Sequence, residues 1–193
     1  LRRDMLAAYR RDLWRDQPCR VEIWLEKQAL VGVVYDQTDE WGVPLYPCRG
    51  YPSVTYLADA AAAIRRCGKP THIFYFGDFD PSGLDIPRVV ERRLRDLAPE
   101  AEIHFDRVAV TEDQIKSMCL PTRPTKRTDS RAKGFEGGSV ELDAIPPDDL
   151  RAIVRGCIER HVDTDLLERT RRIEELERES LAGLRMPEVG GDD

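Results

Sequence analysis

Four times between residues 19 and 110, a short apolar run of strand character gives way to a segment of helical period, and this alternation most constrains the fold. Strand-forming residues concentrate at Cys19 to Leu25, Pro44 to Cys48, Thr71 to Gly77 and Ile103 to Val110. Helical patterns fill the intervals: from Glu26 to about Gln37, from a Ser53 cap to Arg66 with a stop at Gly68, and from Ser82 to about Leu97. Ser82-Gly83-Leu84-Asp85 and Thr111-Glu112-Asp113-Gln114 both have capping-box spacing, the second opening a short helix. Strands joined through helices pair in parallel and need cover on both faces. The expected class is α/β, a mainly parallel four-stranded sheet between helices with a C-terminal helical extension.

The chain of 193 residues has room for one well-buried domain and an appendage. Leu6, Tyr9 and Leu13 lie at helical spacing, so residues 1–16 read as a lead-in helix, with Tyr9 a packing residue. That pattern is already under way at Leu1, which suggests the end of an N-terminal domain. Residues 17–145 then form the sheet domain, with a basic loop at 116–139 and a strand from Val140 to Ile145. Pro146-Pro147 opens a helix to about His161 and Asp163 caps another to about Leu184, giving C-terminal helices over 146–186 and a disordered tail at 187–193. No apolar run approaches the ~20 residues of a membrane span and no signal peptide is present, so the expected location is cytoplasmic, away from membranes. Cys19, Cys48, Cys67, Cys119 and Cys157 are scattered without the spacing of a zinc clip and read as reduced thiols. His72, His104 and His161 are isolated in sequence and suggest no chemistry.

A formal charge of −6 argues against a protein that coats nucleic acid without specificity. The charge is uneven, however. Between Lys116 and Lys133 lie Lys116, Arg123, Lys126, Arg127, Arg131 and Lys133 against the single acid Asp129. Such a loop suits either a solvated surface or a polyanion held beside an acidic centre.

That acidic centre is suggested by Phe74 to Gly83, an apolar strand that runs into Asp78 and Asp80 and then breaks at Pro81. Alternation along an extended chain points both carboxylates the same way. Like charges that close are costly unless a cation relieves them, and Mg²⁺, with Mn²⁺ as substitute, is the hard divalent ion such oxygens favour. A turn in which the aspartates only cap the chain suits Asp80 equally. Glu26 ends the first strand, so three carboxylates converge at the carboxyl ends of strands. Glu141 and Asp143 form another alternating pair, read as edge acids or as a second metal site, and Asp85 reads as part of a helix cap. Arg49, after the second strand, is positioned to meet a phosphate.

With Glu26-Lys27 closing the first strand, Arg49-Gly50-Tyr51-Pro52-Ser53 after the second and Asp78-Phe79-Asp80-Pro81-Ser82-Gly83 closing the third, the sequence resembles the Toprim domain. The likeness is to the A subunit of topoisomerase VI and its meiotic relatives. It covers about residues 20–110 and extends weakly through Asp129 to Lys133. The resemblance implies a Rossmann-like Toprim fold and Mg²⁺-dependent cleavage of DNA. It implies Glu26 as general acid/base and Asp78 and Asp80 as metal ligands. With DNA as the polyanion, the basic residues singled out by charge and position, Arg49, Arg123, Lys126, Arg127, Arg131 and Lys133, are the expected DNA-binding residues. Topoisomerases of that type cut with a tyrosine on a winged-helix domain, which has no counterpart in the residues before the first strand. The expectation is therefore a nuclease-like attack by water, or a winged-helix domain outside this chain; the terminal helices further suggest a homodimer.

Two other readings compete. Asp78-Phe79-Asp80-Pro81-Ser82 resembles the nucleophile loop of haloacid-dehalogenase-type phosphatases, but it follows the third strand where that loop follows the first, and it leaves Glu26 idle. A non-catalytic DNA-docking or assembly module on the same fold would use the basic loop and the C-terminal helices as contact surfaces.

Overall fold

A computed structural model describes residues 9–124, 135 and 138–183. The elements are β1 (Arg20–Leu25), α1 (Val31–Glu40), β2 (Leu45–Pro47), α2 (Val54–Cys67), β3 (Thr71–Phe76), α3 (Pro81–Leu97), β4 (Ile103–Ala109), α4 (Glu112–Ser117), α5 (Pro147–Glu159) and α6 (Thr164–Gly183). Short 3₁₀ turns occupy Gln28–Leu30 and Leu142–Ala144. All strand pairings are parallel and the strand order is β2-β1-β3-β4, with Leu25 opposite both Pro47 and Phe76.

The sequence of β1 explains why the sheet is sandwiched. Val21, Ile23 and Leu25 alternate with Glu22 and Trp24, and all five are buried. A strand buried on both faces is what a parallel sheet between helices requires. On one face, Trp24, Ile73, Tyr75 and Ile103 pack with Leu57, Ala61 and Ile64 of α2 and Ile86, Val90 and Leu94 of α3. On the other side α1 and α5 pack together and bury Val34, Leu150, Val154 and Ile158. Arg151 Nε donates to the Val33 carbonyl at 3.0 Å and Arg155 Nε to Gln37 Oε1 at 2.9 Å, fixing the register of that pair. Glu22, buried within β1, is satisfied by Arg20 Nε at 2.8 Å and Trp24 Nε1 at 2.9 Å. Burial still pushes its carboxyl upward.

Helix ends follow local chemistry. Ser53 Oγ accepts from the Tyr56 amide, Gly68 closes α2 in the left-handed region at φ 65°, and Thr111 and Gln114 form the reciprocal capping box. At α3 the expected Ser82 box is replaced by a cap two residues earlier. Pro81 takes the first helical position and Asp80 Oδ1 accepts from the Gly83 amide at 2.6 Å. Proline's fixed φ is already helical, so the residue before it becomes the cap. Asp85 instead accepts a hydrogen bond from the Tyr51 hydroxyl at 2.5 Å.

Two further expectations are corrected. Val140 to Ile145 is not a strand: Phe79 and Val140 make one antiparallel bridge, and the chain then turns through Leu142–Ala144. The Leu142 amide is taken by Asp78 Oδ1 at 2.7 Å, which ends any ladder there. Of the helix expected over residues 1–16, residues 1–8 lie outside the described residues, 9–12 are irregular and 13–16 turn and bend. Two of their amides go to carboxylates, Arg11 N to Glu174 Oε2 at 2.6 Å and Trp14 N to Asp12 Oδ1 at 2.9 Å.

The chain divides into two compact units, residues 18–162 and residues 1–17 with 163–193. The helix expected to begin a C-terminal extension at 146 is α5, and it belongs to the sheet unit. In the smaller unit, Asp163 Oδ1 caps α6 by accepting from the Leu166 amide, and the Tyr9 hydroxyl donates to Glu177 Oε2 at 2.7 Å. The expected tail at 187–193 lies outside the described residues. Among the described residues no helix is long and apolar enough to cross a membrane.

Candidate active site at the carboxyl ends of β1 and β3

From β1 the chain proceeds to β2 on one side, and then to β3 and β4 on the other. Strand order reverses between β1 and β3, and in open α/β sheets the crevice beyond the carboxyl ends at such a point is where ligands bind. Glu26 is the residue after β1, and its amide extends the ladder to the Phe76 carbonyl at 2.9 Å. Gly77, Asp78 and Asp80 follow β3. A side chain at position 77 would overlap Glu26 Oε2 and the Tyr75 ring. The missing Cβ is the space in which the Glu26 carboxylate lies.

Glu26 and Asp78 meet directly. Glu26 Oε2 accepts from the Asp78 amide at 3.3 Å and from the Tyr75 hydroxyl at 3.5 Å. Burial raises the Glu26 carboxyl to about 7, reinforced by the charge of Asp78 and more weakly by Asp80, against the amide bond and Arg107. Burial also lifts the Asp78 carboxyl, with Asp80 and Glu141 adding to it and the Leu142 amide and Lys27 opposing it. The site therefore holds its acids in partly desolvated, mutually repelling positions, which lets one of them keep a proton near neutrality.

Each of the three carboxylates spends one oxygen on a backbone amide, Glu26 on Asp78, Asp78 on Leu142 and Asp80 on Gly83. The second oxygen of each has no hydrogen-bond partner among the described residues. The amide bonds hold the groups apart, and among the described residues they do not gather into a cluster with all ligand atoms within 4.8 Å. Mg²⁺ fits such a donor set, because it keeps several of its waters and commonly takes only one or two carboxylates directly.

One neighbour escaped the sequence reading. Arg107, on β4, donates from one terminal nitrogen to the Val110 carbonyl and from the other to the Asp78 carbonyl at 2.8 Å. Its guanidinium carbon sits 5.9 Å from the Phe79 ring centre, and its Nε is buried without a partner among the described residues. Burial lowers its pKa, opposed by Glu26, Tyr75 and the two aspartates. The available signal was an arginine inside an otherwise strand-like run, Ile103 to Ala109. Lys27 bridges Glu141 Oε2 and Asp143 Oδ2, each at 2.9 Å, and not Glu26. Burial works against its charge, yet the bonds to Asp143 and Glu141 raise its pKa overall. The Glu141–Asp143 pair is thus occupied by lysine.

The expected phosphate-binding residues are less concentrated. Arg49 is exposed after β2, with no hydrogen bond or ion pair to a described residue. Arg123 is exposed but pairs with Glu141 Oε1 at 2.8 Å. Lys126, Arg127, Arg131 and Lys133 lie outside the described residues. The three histidines, isolated in sequence, stack together at the opposite end of the sheet. No protein-family model matches the sequence, and no curated protein matches it.

Proposed function

We propose that the chain is a Toprim-like domain that cleaves phosphodiester bonds in DNA with Mg²⁺, Glu26 serving as general acid/base and Asp78 and Asp80 holding the ion. The observation that carries this reading is the Glu26 carboxylate seated in the space left by Gly77, 3.3 Å from the Asp78 amide, at the point of the sheet where strand order reverses, where burial and the charge of Asp78 raise its pKa. A bound Mg²⁺ would neutralise charge on the scissile phosphate and make its phosphorus easier to attack.

Glu26 in its acid form donates its proton to the departing oxygen, and with a carboxyl pKa near the working pH it is available in both protonation states. Arg107 holds the Asp78 carbonyl and packs on Phe79, so it fixes the backbone that aims the aspartates. Gly77 admits Glu26 to the crevice. The attacking group is water in this reading: its oxygen bonds to phosphorus as the bond to the departing oxygen breaks, and the proton it loses passes to solvent, from which Glu26 is reprotonated; a tyrosine supplied by another domain would meet the same acid.

Calorimetric titration of Mg²⁺ and Mn²⁺ into the protein and into an Asp78→Ala/Asp80→Ala double variant tests the site, followed by nicking of plasmid DNA with Glu26→Gln as control. Binding that the double variant loses, with nicking that Glu26→Gln loses while still binding metal, supports the proposal. Equal binding by both proteins, or DNA cleavage indifferent to Glu26, would overturn it.

A further inference from the structure

The chain has three histidines, and folding collects all of them at the amino end of the sheet. His72, on β3, is the cross-strand partner of His104 on β4, and their rings stack at 4.6 Å. His161, in the turn after α5, stacks on the other side of His72 at 3.9 Å and lies 5.5 Å from the Phe74 ring. Cys19, buried just before β1, places its Sγ 3.5 Å from the His161 carbonyl oxygen. One ligand atom each of Cys19, His72 and His161 lies within 4.8 Å of the others.

We propose that Cys19, His72 and His161 form a binding site for a borderline-soft divalent cation of the Zn²⁺ class, separate from the carboxylate crevice. A thiolate and two imidazoles select zinc, cobalt or copper and reject Mg²⁺, which takes oxygen ligands. Metal–ligand bonds of about 2.0–2.3 Å place tetrahedral ligand atoms roughly 3.3–3.7 Å apart, so a pair at the 4.8 Å limit would close by about 1 Å. A ligated imidazole also carries its metal in the ring plane, which a face-to-face stack does not permit. His161 is the group that moves, because it lies in a turn beyond α5 and can rotate away from His72 without disturbing a strand. Binding removes the Cys19 thiol proton to solvent and leaves a fourth position for water. His104, engaged with Glu102 Oε1 at 2.9 Å, stays outside the shell. The ion would tie the start of β1, the second residue of β3 and the end of α5, three segments far apart in sequence.

The strands run parallel, so this cluster and Glu26 lie at opposite ends of β1, about 20 Å apart at the usual rise per residue. That separation makes the proposal independent of the DNA-cleavage reading. The probe is Co²⁺ added to the whole chain, followed by Zn²⁺ in competition, read as thiolate-to-cobalt charge-transfer absorption and the visible bands of four-coordinate cobalt. Expected are both spectral signatures, displaced by Zn²⁺, with Cys19→Ser and His161→Ala each weakening affinity by more than the ~10–100-fold that a lost outer-shell partner costs. His104→Ala and Cys67→Ser should leave the spectrum unchanged, and Mg²⁺ at millimolar concentration should not displace the cobalt. Circular dichroism confirms that each variant folds; should Cys19→Ser not fold, His161→Ala, at a half-buried position in a turn outside the strands, carries the same test. Absence of the charge-transfer band, or a spectrum that survives His161→Ala or vanishes in Cys67→Ser, would overturn the proposal.

Discussion

A glutamic acid that titrates near 7 when folded and in the ordinary carboxylate range when unfolded makes stability fall as pH rises. Between those values the unfolded chain has already lost the proton that the folded chain keeps, so the difference in bound protons disfavours folding with each step upward. The lifted Asp78 carboxyl adds in the same direction. Glu26→Gln, which stays neutral, should therefore flatten the profile and be more stable than the parent at pH 8, by on the order of 2 kcal/mol once solvent screening is allowed for. Urea midpoints at pH 5 and pH 8 check this, and a variant whose midpoint falls as steeply as the parent's would place the proton elsewhere. Added Mg²⁺ should stabilise the parent more at pH 8 than at pH 5, since only ionised oxygens bind it well. Gly77 makes a second prediction at this scale. Gly77→Ala would drive a methyl group into Glu26 Oε2 and the Tyr75 ring, costing about 1–3 kcal/mol and displacing the acid. Thermal unfolding reads the cost, and retention of the pH profile of stability would show that Glu26 had not moved.

At the level of elements, Asp80 combines two duties that a pair of substitutions can separate. Its Oδ1 caps α3 through the Gly83 amide, while its charge helps raise Glu26. Asparagine caps a helix about as well as aspartate, so Asp80→Asn should leave stability within roughly 0.5 kcal/mol, whereas Asp80→Ala should cost about 1 kcal/mol. Both should weaken Mg²⁺ binding if Asp80 is a ligand; calorimetry showing undiminished binding in Asp80→Asn would reduce it to a cap. The strands were legible because their apolar runs are bounded by Gly, Pro and charged residues, and the observed limits differ from the expected ones by a residue or so. Ser53, Gly68 and the Thr111 box were legible for the same reason, each being a short-range hydrogen-bond pattern. The misreadings at Ser82, at residues 9–16 and at Val140 to Ile145 share a cause. In each, a backbone amide is claimed by a carboxylate, and in the last two that carboxylate is distant in sequence or lies on another element. Local periodicity carries no trace of such a partner. Arg107 and the histidine stack were hidden likewise, since cross-strand register brings them to their neighbours.

On the scale of the whole molecule, the sheet unit of residues 18–162 contains both buried faces of the sheet, the helices α1, α2, α3 and α5 packed with it, and every residue placed in the carboxylate crevice. Glu26 and Asp78 are held by the pairing of β1 with β3, and Lys27 ties the end of β1 to Glu141 and Asp143, all within the same unit. The interactions that position the acids are thus interactions that fold the unit itself. Residues 18–162 expressed alone should give one cooperative urea transition, with the same fall of midpoint between pH 5 and pH 8 as the full chain and the same added stability from Mg²⁺. Near-UV circular dichroism supplies the check on fixed packing, because Trp24 stacks on Tyr46 at 4.7 Å in the core and reports its loss directly. A shortened chain that keeps helical signal but loses the near-UV spectrum would show that the crevice depends on residues beyond its own sheet. A chain that keeps the spectrum and the pH slope would show that the acids draw their altered titration from the sheet alone.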